Sequence, residues 1–217
     1  MLKHGALAHQ GRHRGFTLIE LMTTIALASI LLMLAMPSLT TWVRNAKVRA
    51  VSDALQTGLR QGQMEALRRS RQVVFSLTNS TPTTSSTSFT AAANGSNWAI
   101  SLVKSTMNTS SVFLSSGLLT DVAAGVQIQG PVSVCFSSMG RLTENDDPGV
   151  TGAACELPTS TNVLTYDVSM TGSDRPLRVL VALGGQVRMC DPAKELSASA
   201  PDGCPKSATE VESETKE

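Results

Sequence analysis

Apolar and polar positions divide the chain into three stretches. Residues 21–36 contain no charged side chain, and the apolar character extends over residues 16–39. Those 24 residues predict a helix of roughly 36 Å at 1.5 Å per residue, enough to cross a hydrocarbon core of about 30 Å with some tilt. The period then changes. Val48, Val51, Leu55, Leu59, Gly62, Ala66 and Leu67 recur at steps of three and four, which predicts one apolar face on a helix continuing to about Arg71. Gly58 and Gly62 border that face. Each costs about 1 kcal/mol against alanine in a helix interior, so close packing against a sheet is the expected reason for them. Arg44, Arg49, Arg60, Arg68, Arg69 and Arg71 are expected around the polar side, either as a solvated face or in contact with anionic lipid headgroups or partner subunits.

Beyond Arg71 the runs are short and rich in β-branched and aromatic residues. They predict strands at residues 72–77, 98–103, 126–129, 132–136, 163–168, 177–183 and 186–190. Gly184-Gly185 reads as a tight hairpin turn, and Asn145-Asp146-Asp147-Pro148-Gly149 as a turn-rich loop. Residues 78–88 are almost all Ser and Thr around Pro82, the composition of a flexible loop. From about Ser197 the chain is polar and acidic, and is expected to be mobile. A long N-terminal helix followed by antiparallel strands is an α+β pattern.

Composition adds three points. The net charge is +1, so overall charge implies no nucleic-acid partner, but its distribution is uneven. Residues 44–71 carry seven basic side chains against Asp53 and Glu65, whereas residues 191–217 carry seven acids against three lysines. All three histidines, His4, His9 and His13, precede Gly15. Without them the chain lacks the commonest general base and metal ligand, so neither an enzyme nor a cofactor or metal site is expected.

The stretch Arg14-Gly15-Phe16-Thr17-Leu18-Ile19-Glu20-Leu21 is the densest signal. A secretory signal has a shorter apolar core with its small-residue cleavage site behind it. Here the small residue, Gly15, stands in front. The segment resembles the type IV pilin and type II secretion pseudopilin signature, and the order of elements beyond it resembles the GspH/FimT family of minor pilins and pseudopilins. That resemblance implies cleavage by a prepilin peptidase between Gly15 and Phe16 and N-methylation of Phe16. It implies that Glu20 pairs with the N-terminal amine of a neighbouring subunit during assembly, each charge lowering the other's burial cost. Pro37, which removes a helical hydrogen bond, is implied to kink or loosen the helix. The resulting division is a leader at 1–15, a transmembrane helix at 16–39 and its amphipathic continuation at 40–71. A β-rich domain follows at 72–196, then an acidic tail at 197–217.

Cys135, Cys155, Cys190 and Cys204 contain no Cys-x-x-Cys pair, which argues against zinc. Four cysteines beyond a membrane span, in a bacterial envelope context, point to disulfides. Of three possible pairings, Cys135–Cys155 and Cys190–Cys204 each close one local loop and are the ones expected, each contributing roughly 2–4 kcal/mol.

The resemblance implies a structural minor pilin of a type IV pilus, or alternatively a type II secretion pseudopilin. Either is a single-pass inner-membrane protein with a periplasmic domain, partnered by other pilins or pseudopilins. A second alternative is a DNA-binding pilin. Some family members carry Gly-Arg-x-Arg in the final hairpin, where arginines grip phosphates. Here the matching stretch is Gly185-Gln186-Val187-Arg188. Only Arg188 keeps the charge, and the acidic tail begins close by, which argues against DNA.

Overall fold

A computed structural model describes residues 15–82, 88–105, 109–119, 124–159 and 162–205, without the side chains of residues 34–37. Helix α1 (Leu18–Arg69) leads into nine strands among the described residues. These are β1 (Val73–Thr78), β2 (Asn97–Leu102), β3 (Val112–Leu118), β4 (Val126–Gln129), β5 (Ser133–Phe136), β6 (Val163–Met170), β7 (Leu177–Ala182), β8 (Val187–Glu195) and β9 (Gly203–Cys204). The fold class is therefore α+β, as the patterning predicts. The chain divides into two units, Met1–Thr40 and Thr41–Glu217.

In the second unit α1 lies on two sheets. The first has strand order β3-β2-β1-β5 and the second β4-β6-β7-β8-β9. All pairings are antiparallel except β8 with β9. Val48, Val51, Leu55, Leu59 and Ala66 of α1 form one buried cluster with both sheets, meeting Val73, Phe75, Leu77 and Trp98 of the first and Tyr166, Val168, Val179 and Val181 of the second. Strand alternation sends the intervening side chains to the other face. There Val74, Ala99 and Cys135 are covered by Phe89, Ala91, Val150, Ala153 and Cys155. Strand β1 is consequently buried throughout its length, and its polar Ser76 is satisfied by the Ser133 hydroxyl at 2.9 Å.

The two helix glycines are explained by this contact. A Cβ at Gly58 would lie 2.8 Å from Trp98 Cε2, and one at Gly62 would lie 3.4 Å from Phe136 Cε2. Trp98 is enclosed on its other side by its cross-strand partner Gly117, where a Cβ would overlap the indole.

Several expectations are corrected. The helix ends at Arg69, because Ser70 adopts φ 50°. Leu67, placed on the apolar face by its spacing, is 49% exposed. Strand β3 escapes the patterning because Ser115, Ser116 and Gly117 interrupt its apolar residues and a bulge shifts its register against β2. The stretch from Ser197 is structured as far as Cys204, where β9 pairs with β8. The last hairpin strand runs on to Glu195 rather than ending at Cys190. Within the Ser/Thr-rich loop, residues 83–87 lie outside the described residues, while Thr78 completes β1 and Pro82 O accepts a bond from Ser116 Oγ at 2.8 Å.

Candidate assembly segment

Residues 1–14, with the three histidines, lie outside the described residues. At Gly15 the surroundings are open, with nothing within 4 Å of where a Cβ would stand. Thr17 is the helix N-cap. Its Oγ1 accepts the Glu20 backbone N–H at 3.3 Å, and Thr17-x-x-Glu20 is the spacing of a capping box. Glu20 thus has a local role at the first turn, where a carboxylate also complements the positive end of the helix dipole.

Behind Glu20 the helix is apolar on every side and uncovered. Phe16 (81%), Leu18 (75%) and Met33 (78%) are mostly exposed, and Ile19, Met22, Ile25 and Leu31 are likewise exposed. A helix apolar all round calls for an apolar environment. Its central hydroxyls suit one: Thr23, Thr24 and Ser29 each donate to the carbonyl three residues back, at 3.0, 2.9 and 2.8 Å, so these three hydroxyl protons need no partner from the lipid. No single straight helix among the described residues is long and apolar enough to cross a membrane. Leu18–Met33 and Ser38–Arg69 taken together meet the requirement by length and composition. The kink expected at Pro37 falls on side chains outside the described residues.

The arginines of α1, with Arg71 just beyond its end, divide in a way the helical spacing did not indicate. Arg60 donates to Val187 O at 3.0 Å, Arg71 to Val103 O at 3.2 Å and Arg44 to Gly172 O at 3.4 Å, so these three turn toward the domain. Arg68 and Arg69 instead share Glu65, at 2.7 and 2.8 Å, and their hydrogen bonds hold its carboxyl below the usual range.

The structure brings the four cysteines together as Cys135–Cys155 and Cys190–Cys204, with Cα separations of 5.6 and 5.0 Å. Both bridges lie on sheet faces turned away from α1. The first holds the loop in which Asp147 N–H donates to Asn145 Oδ1 at 3.0 Å. The second holds the return from β8 to β9. Arg188 is committed to that return, donating to Pro201 O at 2.8 Å and Gly203 O at 3.3 Å. Lys194 pairs with Asp202 at 2.6 Å in the same segment, which holds the Asp202 carboxyl down and the Lys194 ammonium up. Arg188 also borders a cleft of about 500 Å³ with Arg60, Gln63 and Met64 of α1. Among the described residues no group of three His, Cys, Asp or Glu could hold a metal ion.

Residues 11–36 match the prokaryotic N-terminal methylation motif. The N-terminal segment is type IV pilin-like. No curated protein matches the chain. Among solved structures, the type IV minor pilin FimU of Pseudomonas aeruginosa is similar at 14% identity and a TM-score of 0.46, covering 75% of this chain and 98% of that one. The minor pseudopilin EpsH of the type 2 secretion system of Vibrio cholerae is similar at 10% identity and a TM-score of 0.44, covering 68% and 99%.

Proposed function

We propose that the chain is a structural minor pilin of a type IV pilus. It would be processed by a prepilin peptidase between Gly15 and Phe16, held by residues 16–39 in the inner membrane, and incorporated with other pilins into a filament. The observation that supports this most is the register of the methylation motif over residues 11–36. An open Gly15, a Thr17-capped first turn bearing Glu20 and an apolar helix uncovered on all sides follow one another without a gap. Such a helix must bury its surface in lipid and later against like helices. Glu20 is then the carboxylate available to a neighbour's Phe16 amine.

The type II secretion pseudopilin is the second reading, because the same motif serves both systems. A DNA-binding role is disfavoured by Arg188, whose guanidinium already bonds to Pro201 and Gly203. Deleting the gene separates the first two. Loss of surface pili with export intact is the expected result; loss of export with normal pili would assign the protein to the secretion system instead.

A further inference from the structure

The cleft between α1 and the β7–β8 hairpin is tied together from both walls. Arg60, Gln63 and Met64 line it from α1, and Gln186, Val187 and Arg188 from the hairpin. Arg60 donates across to Val187 O at 3.0 Å. Gln63 donates to Gly140 O at 3.0 Å. The turn residue Gly185, at φ 88°, packs on that pair, where a Cβ would overlap Gly140 O and Gln63 Nε2. Every one of these residues belongs to the second unit.

Two guanidiniums line the cleft and no acid does. Among the described residues, their partners are backbone carbonyls: Val187 O for Arg60, and Pro201 O and Gly203 O for Arg188. Each bond is made through Nη2 alone, which leaves further N–H donors on both forks. The acids around the cleft are balanced by cations of their own. Glu65 lies between Arg68 and Arg69, and Asp191 and Asp202 flank Lys194, which also feels the charge of Arg175. The charge of Arg60 and Arg188 is therefore left for an anion, and a carboxylate matches the guanidinium fork.

The nearest supply of carboxylates is in the same chain. β9 is held to β8 by pairing, by the Cys190–Cys204 bridge and by Arg188 itself. The chain thus leaves β9 beside a residue of the cleft. Residues 206–217, outside the described residues, carry Glu210, Glu212, Glu214 and Glu217 against Lys206 and Lys216. Glu210 stands five residues past Pro205, a reach of up to about 17 Å. So short a tether gives these glutamates an effective concentration of order mM, which a second copy does not match in dilute solution.

We infer that the glutamates at 210, 212 and 214 dock on Arg60 and Arg188, so that the chain covers its own anion-accepting cleft. An acidic segment of a partner, or a phosphate, must displace the tail to enter. This docking does not rest on the filament reading and holds in either filament system.

Full mature chain in detergent provides the test. Arg60→Lys keeps the positive charge and introduces an amine that carbodiimide couples to a carboxylate in contact with it. Peptide mapping is expected to find that amine joined to Glu210, Glu212 or Glu214. The yield should fall roughly threefold or more in about 0.5 M salt, where exposed pairs are screened. Mixing unlabelled with isotope-labelled chains identifies the source. Links within one chain are expected, and links between chains would overturn the inference in favour of a second copy's tail. A second variant, Glu210→Gln/Glu212→Gln/Glu214→Gln, leaves the domain's own contacts untouched. It should raise the rate of Met64 oxidation by hydrogen peroxide about twofold or more, because the tail no longer shields a side chain that is 67% exposed in the domain alone. Met139, 78% exposed and outside the cleft lining, should keep its rate. Unchanged Met64 oxidation would overturn the docking. So would an amine at position 60 that couples to no tail glutamate while both disulfides map normally.

Discussion

Substitution of Gly58 by alanine isolates the helix–sheet contact at the centre of the fold. The added methyl would stand 2.8 and 3.0 Å from Trp98 Cε2 and Cδ2 and 3.1 Å from Phe75 Cε2. Carbon atoms prefer about 3.5–4.0 Å. Neither ring has room to move: Trp98 is backed by Gly117, and Phe75 stacks on Trp98 with centroids 5.9 Å apart. Overpacking of this kind costs about 1–3 kcal/mol, against about 1 kcal/mol gained from helix propensity. The net expectation is a loss of about 1 kcal/mol. Gly62 provides the control, because its Cβ would meet Phe136 at an ordinary 3.4–3.5 Å. Gly62→Ala should keep most of the propensity gain, about 0.5–1 kcal/mol. Urea unfolding of the full chain in detergent, followed by Trp98 emission in a Trp42→Phe background, measures both. Trp98→Leu, followed by far-ultraviolet circular dichroism in place of tryptophan emission, should make Gly58→Ala neutral or stabilising, a coupling of about 1 kcal/mol. If the two alanine variants shift stability alike and in the same direction, the indole does not select glycine at position 58.

Intact mass of the membrane-extracted protein should show a chain beginning at methylated Phe16; a chain retaining His13 or beginning beyond residue 39 would refute it. Glu20→Ala should insert normally but fall out of the sheared filament fraction, and unchanged incorporation would show that the carboxylate is dispensable. Replacing either cysteine pair by serine should cost about 3 kcal/mol, from closed loops of 20 and 14 residues; non-reducing peptide mapping checks the pairing itself. The depressed carboxyl of Glu65 supplies stability that is present above its ordinary value of 4.5 and is lost as pH falls through the lower folded value. The advantage of wild type over Glu65→Gln, under about 1 kcal/mol for such surface pairs, should therefore disappear on acidification below pH 4.5. An advantage that persists there would show that Arg68 and Arg69 contribute nothing through the charge.

The elements readable in the sequence were those whose burial is periodic. Val48, Val51, Leu55 and Leu59 announce a helix face because that face meets one continuous apolar surface. Strands β1 and β2 are readable because their β-branched and aromatic residues are buried on both faces. Strand β3 was not, since its edge position tolerates Ser115, Ser116 and Gly117, and glycine there answers to Trp98 on the neighbouring strand. The same limit applies to the arginines. Spacing places Arg44, Arg60 and Arg71 on the polar side of α1, but it cannot show that their carbonyl partners lie 128, 127 and 32 residues away. The N-terminal segment is the opposite case. There Gly15 is open and Thr17 caps the first turn through the Glu20 amide, so for this local geometry adjacency in the chain is the whole signal.

The placement of the two disulfides has a mechanical consequence. A pull along α1 enters the second unit through a helix lying against two sheets, and it loads that apolar interface in shear, so many contacts resist together rather than one after another. Neither bridge crosses this interface, since the first joins β5 to the loop that follows it and the second joins β8 to β9, both on the far side. They act only after it yields. Separations of 20 and 14 residues, at about 3.5 Å per residue, withhold about 120 Å of extension from a chain pulled past that point. The bridges thus leave the yield force to the helix contact and set how far an overloaded subunit can lengthen.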